Sequence, residues 1–252
     1  MRIAIVTGAS SGMGKEFVIQ LDANEQFDEI WAIALEGDLL EQLQGELRTK
    51  IRPIAMDLSL PENLAKFGTI LDEVKPEVTV LVNASGFGIF KSFEETPLEK
   101  LYAMVDVNTR AMMAITHMAL PYMKTGANIY NIASGASFQP TPYMLVYGAT
   151  KAACLSFSRA LNMELQKRGI RSLALCPFWV KTNFFKTAAS DDTISYFPRW
   201  VESKDVVRKA FKDMKCGKDM SIYGLDYKLQ MLAVKLLPCR LVMRIWCMQQ
   251  KH

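Results

Sequence analysis

Histidine is almost missing from this 252-residue chain, with His117 and His252 as its two representatives. Neither has metal-ligating company, and His117, inside the apolar run AITHMALPYM, reads as a helix packing residue. A hydrolase that needs a histidine base is therefore disfavoured, and no metal site is expected. Cysteine is also sparse. Cys154, Cys176, Cys216, Cys239 and Cys247 are odd in number, far apart and never in a CxxC pair. That pattern argues against a disulfide framework or a zinc site and suits a reducing cytoplasm. No apolar run approaches the roughly 18 residues of a membrane-spanning helix. The chain opens straight into a strand pattern, so no secretory leader is expected. The formal net charge of +4 is too small to suggest nucleic acid as a partner. Internal repeats, low-complexity tracts and linker-like stretches are missing too, which leaves one sizeable domain.

What is present is alternation. Short apolar or β-branched runs at residues 3–7, 29–35, 51–55, 78–83, 127–132, 171–176 and 220–223 read as seven strands. Helical spacing fills most of the intervals, including residues 99–123 and 144–167. The pattern predicts an α/β fold, a doubly wound and mostly parallel sheet with helices on both faces. Residues 1–225 form that domain, and residues 226–252 form a basic, apolar, helical tail.

Two constellations carry chemistry. In VTGASSGMGKEF, the glycines Gly8, Gly12 and Gly14 follow the first strand and precede a helix. They either cap that helix or let its positive end approach a phosphate. In NIASGASFQPTPYMLVYGATKAA, Tyr147 and Lys151 are four apart on a helix and share one face. A neighbouring ammonium favours phenolate, so Lys151 is expected to lower the ionisation of Tyr147 toward working pH and make it a general acid/base. Ser134, thirteen residues before Tyr147, lies just past a strand, where its hydroxyl could hold a substrate oxygen. An exposed Tyr–Lys pair with no chemical role is the competing reading.

Taken together these segments resemble the short-chain dehydrogenase/reductase family in its short, single-domain, Rossmann-like form, over residues 1 to about 225. Gly8, Gly12 and Gly14 match its TGxxxGxG, so the resemblance places Ser10, Ser11 and Met13 beside a dinucleotide as well. Asp57, followed by Leu58, falls where the family keeps an acid near the adenine. LVNASG, with Asn83, Ala84 and Ser85, resembles its NNAG. Pro177, Phe178, Val180 and Thr182 in CPFWVKT resemble the PGxxxT stretch beside the nicotinamide. Asn108, Ser134, Tyr147 and Lys151 match the catalytic set. The resemblance implies that Tyr147 exchanges a proton with a carbonyl or alcohol and that Ser134 polarises the same oxygen. It further implies that Lys151 tunes Tyr147 and bonds the nicotinamide ribose, and that Asn108 holds a water. A catalytically silent dinucleotide-binding regulator on the same fold is the alternative.

Departures from the family pattern sharpen the expectations. Ala84 and Ser85 replace an asparagine and an alanine, and Phe178 replaces a glycine, adding bulk near the nicotinamide. After the second strand come Leu35 and Glu36, where phosphate-reading members carry an arginine. A carboxylate accepts from ribose hydroxyls and repels a 2′-phosphate, so NAD(H) is expected over NADP(H). The competing reading makes Glu36 a solvated loop acid and gives the phosphate to Lys15 or another cation. Residues 183–200 read as a substrate lid around a Ser-Asp-Asp hinge. Its Phe184, Phe185, Tyr196, Phe197 and Trp200 suggest a small apolar substrate such as a steroid, fatty-acyl or aromatic ketone, unless those rings merely pack on the core. Trp31 and Trp246 carry no such hint. The tail reads as a pocket cover or subunit contact in preference to a basic amphipathic membrane anchor. The resemblance implies a homodimer or homotetramer paired through the helix at 144–167, where Gly148, Ala149, Ala152, Ala153 and Ser156 permit close approach.

Overall fold

A computed structural model describes residues 1–189 and 191–251; Ser190 of the expected hinge and His252 of the tail lie outside the described residues. The strands are β1 (Arg2–Thr7), β2 (Glu29–Ala34), β3 (Lys50–Ala55), β4 (Glu77–Asn83), β5 (Asn128–Ile132), β6 (Arg171–Leu175) and β7 (Met220–Ser221). They form one sheet in the order β3-β2-β1-β4-β5-β6-β7, and every pairing is parallel. The expected "mostly parallel" sheet is thus wholly parallel, and its last strand is two residues long instead of four. Past it, Gly224 takes a φ of +101° and turns the chain into the tail.

Between strands run α1 (Gly12–Asn24), α2 (Gly37–Leu43), α3 (Pro61–Val74), α4 (Leu98–Val105), α5 (Met112–Ala119), α6 (Leu145–Glu164), α7 (Phe184–Ala188) and α8 (Ser203–Lys215), and after β7 come α9 (Leu225–Leu236) and α10 (Cys239–Gln249). The single helix expected at 99–123 is divided. A π-helical turn, Asp106–Ala111, separates α4 from α5, and Pro121 sits in a final tight turn. The wider turn buries Asn108 at the sheet's carboxyl edge.

Both faces of the sheet are covered, which is why β1 and β2 read as nearly unbroken apolar runs. On one face Phe17, Leu21, Leu40, Val206 and Ala210 are buried; on the other, Phe67, Leu71, Ile115 and Leu161 pack with Trp31. A smaller cluster of Phe90, Leu101, Met104, Met144, Tyr147 and Ile194 sits apart from these two. Strand order reverses direction between β1 and β4, so their carboxyl ends open the crevice where such sheets bind ligands.

A buried polar chain fixes the middle of the sheet. Asn83 Nδ2 donates to Asn131 Oδ1 (2.8 Å) and to Thr116 Oγ1 (3.0 Å), while Asn131 Nδ2 donates to Ser158 Oγ (3.1 Å) and Ser172 Oγ (3.2 Å). Asn131→Ala would strand several of these groups, each costing about 1–3 kcal/mol. Urea unfolding is expected to show a loss of about 3 kcal/mol or more. A loss below about 0.5 kcal/mol would mean the network relaxes around water instead.

Candidate active site

At the end of β1 the chain makes a cradle that side chains would fill. Gly8 and Gly12 have φ of +65° and +55°. A Cβ on Gly14 would lie 2.0 Å from the Gly8 carbonyl oxygen, and one on Gly8 would lie 2.8 Å from that of Ala84. Ser11 precedes α1 without a side-chain cap, which leaves the helix's first N–H groups to an anion. Across the cleft, Thr182 Cγ2 stands 3.2 Å from where a Cβ on Gly12 would be. This bare backbone fits a dinucleotide's pyrophosphate. Met13 packs its side chain against the core, and Ser10 Oγ donates to Glu36 Oε2 at 3.0 Å. Lys15 pairs with Glu46 at 3.1 Å and not with Glu36. Leu35 is 64% exposed.

The next group of expected contacts is held mainly through backbone. The Asn83 side chain belongs to the polar chain of the sheet, and Leu58 is buried in the core. One oxygen of Asp57 accepts from both N–H and hydroxyl of Ser59, at 2.8 and 2.7 Å. Thr7 Oγ1 accepts from the N–H groups of Ala84 and Ser85, each at 3.0 Å. Thr7 thereby ties β1 to the departing β4 segment, a role its position in the sequence did not advertise.

The chemistry-bearing residues do converge. Ser134 follows β5 and caps the short turn at Gly135–Phe138. Tyr147 and Lys151 are buried, one turn apart on α6, and the Ser134 hydroxyl is near enough to the Tyr147 phenol to favour its ionised form. Lys151 Nζ donates to the Ile132 carbonyl at 2.7 Å and lies 5.8 Å from the Tyr147 ring centre. Asn108 clasps Phe87, donating to its carbonyl at 2.9 Å and accepting from its N–H at 3.0 Å, and also donates to Thr150 Oγ1. Gly86 makes room for both groups: a Cβ there would be 2.9 Å from Asn108 Oδ1 and 3.3 Å from Lys151 Nζ.

The expected lowering of the Tyr147 ionisation by Lys151 is not found. Burial pushes the phenol up to about 12, and the nearby Ser134 hydroxyl only partly offsets it. Lys151 is itself pushed down by burial, and its nitrogen is spent on Ile132. Spacing had put the two side chains on one face, but desolvation outweighs the ammonium's influence.

Ser134 and Tyr147 form part of the wall of a cavity of about 380 Å³. Phe90, Met144, Trp179, Phe184 and Phe185 line it, and among the described residues no lining residue is charged. Residues 183–200 contribute unequally. Phe184, Phe185 and Tyr196 face the cavity, whereas Phe197 and Trp200 pack on Trp179 and Phe185. The tail closes the other side through Val234, Leu237, Val242 and Ile245. It includes Trp246, which also donates to the Pro142 carbonyl at 3.0 Å. The reading that gave Trp246 no role is corrected here. The spacing of Val242, Ile245, Trp246 and Gln249 on one helix face was the available signal. Tail and lid are pinned together, with Gln250 Oε1 accepting from the N–H groups of Ser195 and Tyr196 and Tyr227 donating to the Arg199 carbonyl. Phe178 stacks on Tyr227 with centroids 4.2 Å apart, and lies so near Gly135 that a Cβ there would be 2.7 Å from its ring. Pro177 accepts from Gly135 N–H, and Val180 is buried beside Val201. Among the described residues no cluster of three or more His, Cys, Asp or Glu could hold a metal ion.

The chain and its fold are matched in known proteins. The short chain dehydrogenase family matches residues 2–193. A short-chain type dehydrogenase/reductase of Sinorhizobium fredii is 33% identical over 74% of this chain and 73% of its own. Sulfoacetaldehyde reductase 2 of Chromohalobacter salexigens is 30% identical over 72% of this chain and 74% of its own. Among solved structures, a short-chain dehydrogenase from Sphingobium yanoikuyae in complex with NADPH superposes with a TM-score of 0.80 at 25% identity, covering 93% of this chain and 92% of the other. The chain belongs to the short-chain dehydrogenase/reductase family and is an enzyme of the oxidoreductase class.

Burial of the phenol has a spectroscopic consequence. In an alkaline titration, exposed tyrosines ionise near about pH 10. The difference between wild type and Tyr147→Phe should show no phenolate absorbance up to that pH. A Tyr147-dependent phenolate signal near neutrality would contradict the burial argument.

Proposed function

We propose that the chain interconverts a ketone and a secondary alcohol on a small, uncharged, apolar molecule, with NAD(H) as its cofactor. The observation that carries this reading is that Ser134 and Tyr147 stand together in one wall of a mainly apolar cavity whose other polar lining residues, among the described ones, are the uncharged Gln139, Thr141, Gln230 and Gln249. A bound nicotinamide supplies the hydride in reduction and accepts it in oxidation. Tyr147, protonated because it is buried, donates its proton to the carbonyl oxygen as charge develops there. Ser134 donates a second hydrogen bond to that oxygen and keeps it over the phenol. Lys151 holds α6 to β5 and is the nearest cation to the tyrosine ring, and Asn108 braces the loop at Phe87. Gly8 through Gly14 and Thr182 would hold the pyrophosphate, with Pro177, Phe178 and Val180 flanking the nicotinamide and Asp57 near the adenine.

The lining supports aryl, steroid or fatty-acyl ketones and disfavours anionic aldehydes. Burying an unpaired anion costs several kcal/mol, and among the described residues this wall holds no cation to receive a sulfonate or carboxylate. The exposed Ala149, Ala152 and Ser156 on the outer face of α6 support pairing of two subunits through that helix.

Cofactor choice rests on Leu35 and Glu36. Glu36, bonded to Ser10, would meet ribose hydroxyls well and a 2′-phosphate badly, and Lys15 is engaged by Glu46. NADH is expected to bind more tightly than NADPH in fluorescence titration. Leu35→Arg with Glu36→Arg should swing preference toward NADPH by about 1.5–3 kcal/mol for each charge-assisted hydrogen bond made to the 2′-phosphate. A natural preference for NADPH overturns the cofactor assignment. A panel of aryl, steroid and long-chain ketones, followed by loss of reduced-cofactor absorbance, tests the substrate class. Turnover confined to anionic aldehydes would refute it.

A further inference from the structure

The tail's inner face closes the cavity, but its outer face is bare. Leu225, Leu229, Leu232 and Leu236 recur at four- and three-residue steps along α9 and are 73%, 59%, 51% and 76% exposed. Leu237, Leu241 and Met248 extend the apolar surface onto α10. Beside the stripe, Lys228 and Lys235 are seven apart on α9, and Arg240 and Arg244 are four apart on α10. Among the described residues none of these four cations is in an ion pair. The one acid of the tail, Asp226, is taken by Arg199 at 2.7 Å. Ala233 and Leu237 are both exposed and both line the cavity, so the tail's outer surface adjoins part of the cavity rim, which also includes the exposed Tyr196, Pro198, Gln230 and Gln249.

We infer that α9 and α10 dock the enzyme on an anionic lipid surface, lying in its interface with the exposed leucines of α9 turned toward the acyl chains. Bare leucines beside unpaired cations match such a surface in both respects. The leucines enter the acyl boundary without needing a complementary groove, and the cations meet lipid headgroups. A second copy of the chain is a poorer occupant. A two-fold interface would set each copy's Lys228, Lys235, Arg240 and Arg244 against the same residues of the other. The docking rests on the outer face alone; delivery of an apolar ketone from the bilayer to Tyr147 rests in addition on the proposed reaction.

Flotation of the full-length protein with phosphatidylcholine vesicles, with and without phosphatidylserine, tests the docking without reference to turnover. The protein should rise with the anionic vesicles, stay down with the neutral ones, and be released by salt. Each cation is worth roughly a factor of five in partitioning, so K228Q/K235Q/R240Q/R244Q should bind several hundredfold more weakly. L229S/L232S/L236S should also lose flotation while turning over a water-soluble ketone at the wild-type rate. Failure of the wild type to float, or equal flotation with neutral vesicles, overturns the inference. So does a wild type that stays down and self-associates in a manner abolished by the serine variant, which would make the stripe a subunit contact. Flotation with no ketone turnover would leave the docking standing and refute the reaction instead.

Discussion

A lysine nitrogen resting on a strand-end carbonyl organises the site. Lys151 Nζ lies 2.7 Å from Ile132 O, fully enclosed, and joins the longest helix to the carboxyl edge of the sheet. That bond sets the rotation of α6, and the rotation sets Tyr147, one turn earlier, against Ser134. Gly86 must lack a side chain for the lysine and Asn108 to sit where they do. The glycine cradle, the switch between β1 and β4, and the turn that buries Asn108 all converge on this edge. Moving the helix by one residue would place Tyr147 on another face, away from the cavity.

The tail and the lid act on the same tyrosine from outside. The chain beyond the sheet wraps back so that Trp246, Ile245 and Val234 face Ser134 across the cavity. Phe178 stacked on Tyr227 links that cover to the turn at Gly135, beside Ser134. The phenol is thereby buried, which raises its pKa and keeps it protonated. Cover and chemistry are one construction.

Much of this was legible in the residues. Glycines between an apolar run and a helix can only be a turn, and a four-residue step on a helix puts Tyr147 and Lys151 together. The sheet followed from the alternation of short apolar runs with stretches of helical spacing. Three things were not legible. The direction of the Tyr147 shift depends on what covers the phenol, and part of that cover arrives about a hundred residues later in the chain. Trp246 looked like any tail aromatic until α10 folded back. The inward turn of the Asn83 and Leu58 side chains follows from strand pairing and core packing, which leaves only their backbone toward the cleft.

The proton held by Tyr147 is the core of the account, and Tyr147→Phe isolates it. The phenyl ring keeps its packing against Phe90 and Phe184 and loses only the hydroxyl. The variant should bind NADH within about twofold of wild type, while ketone reduction at saturating cofactor falls by about a hundredfold to ten-thousandfold. Retention of more than about a tenth of wild-type turnover would show that another group delivers the proton.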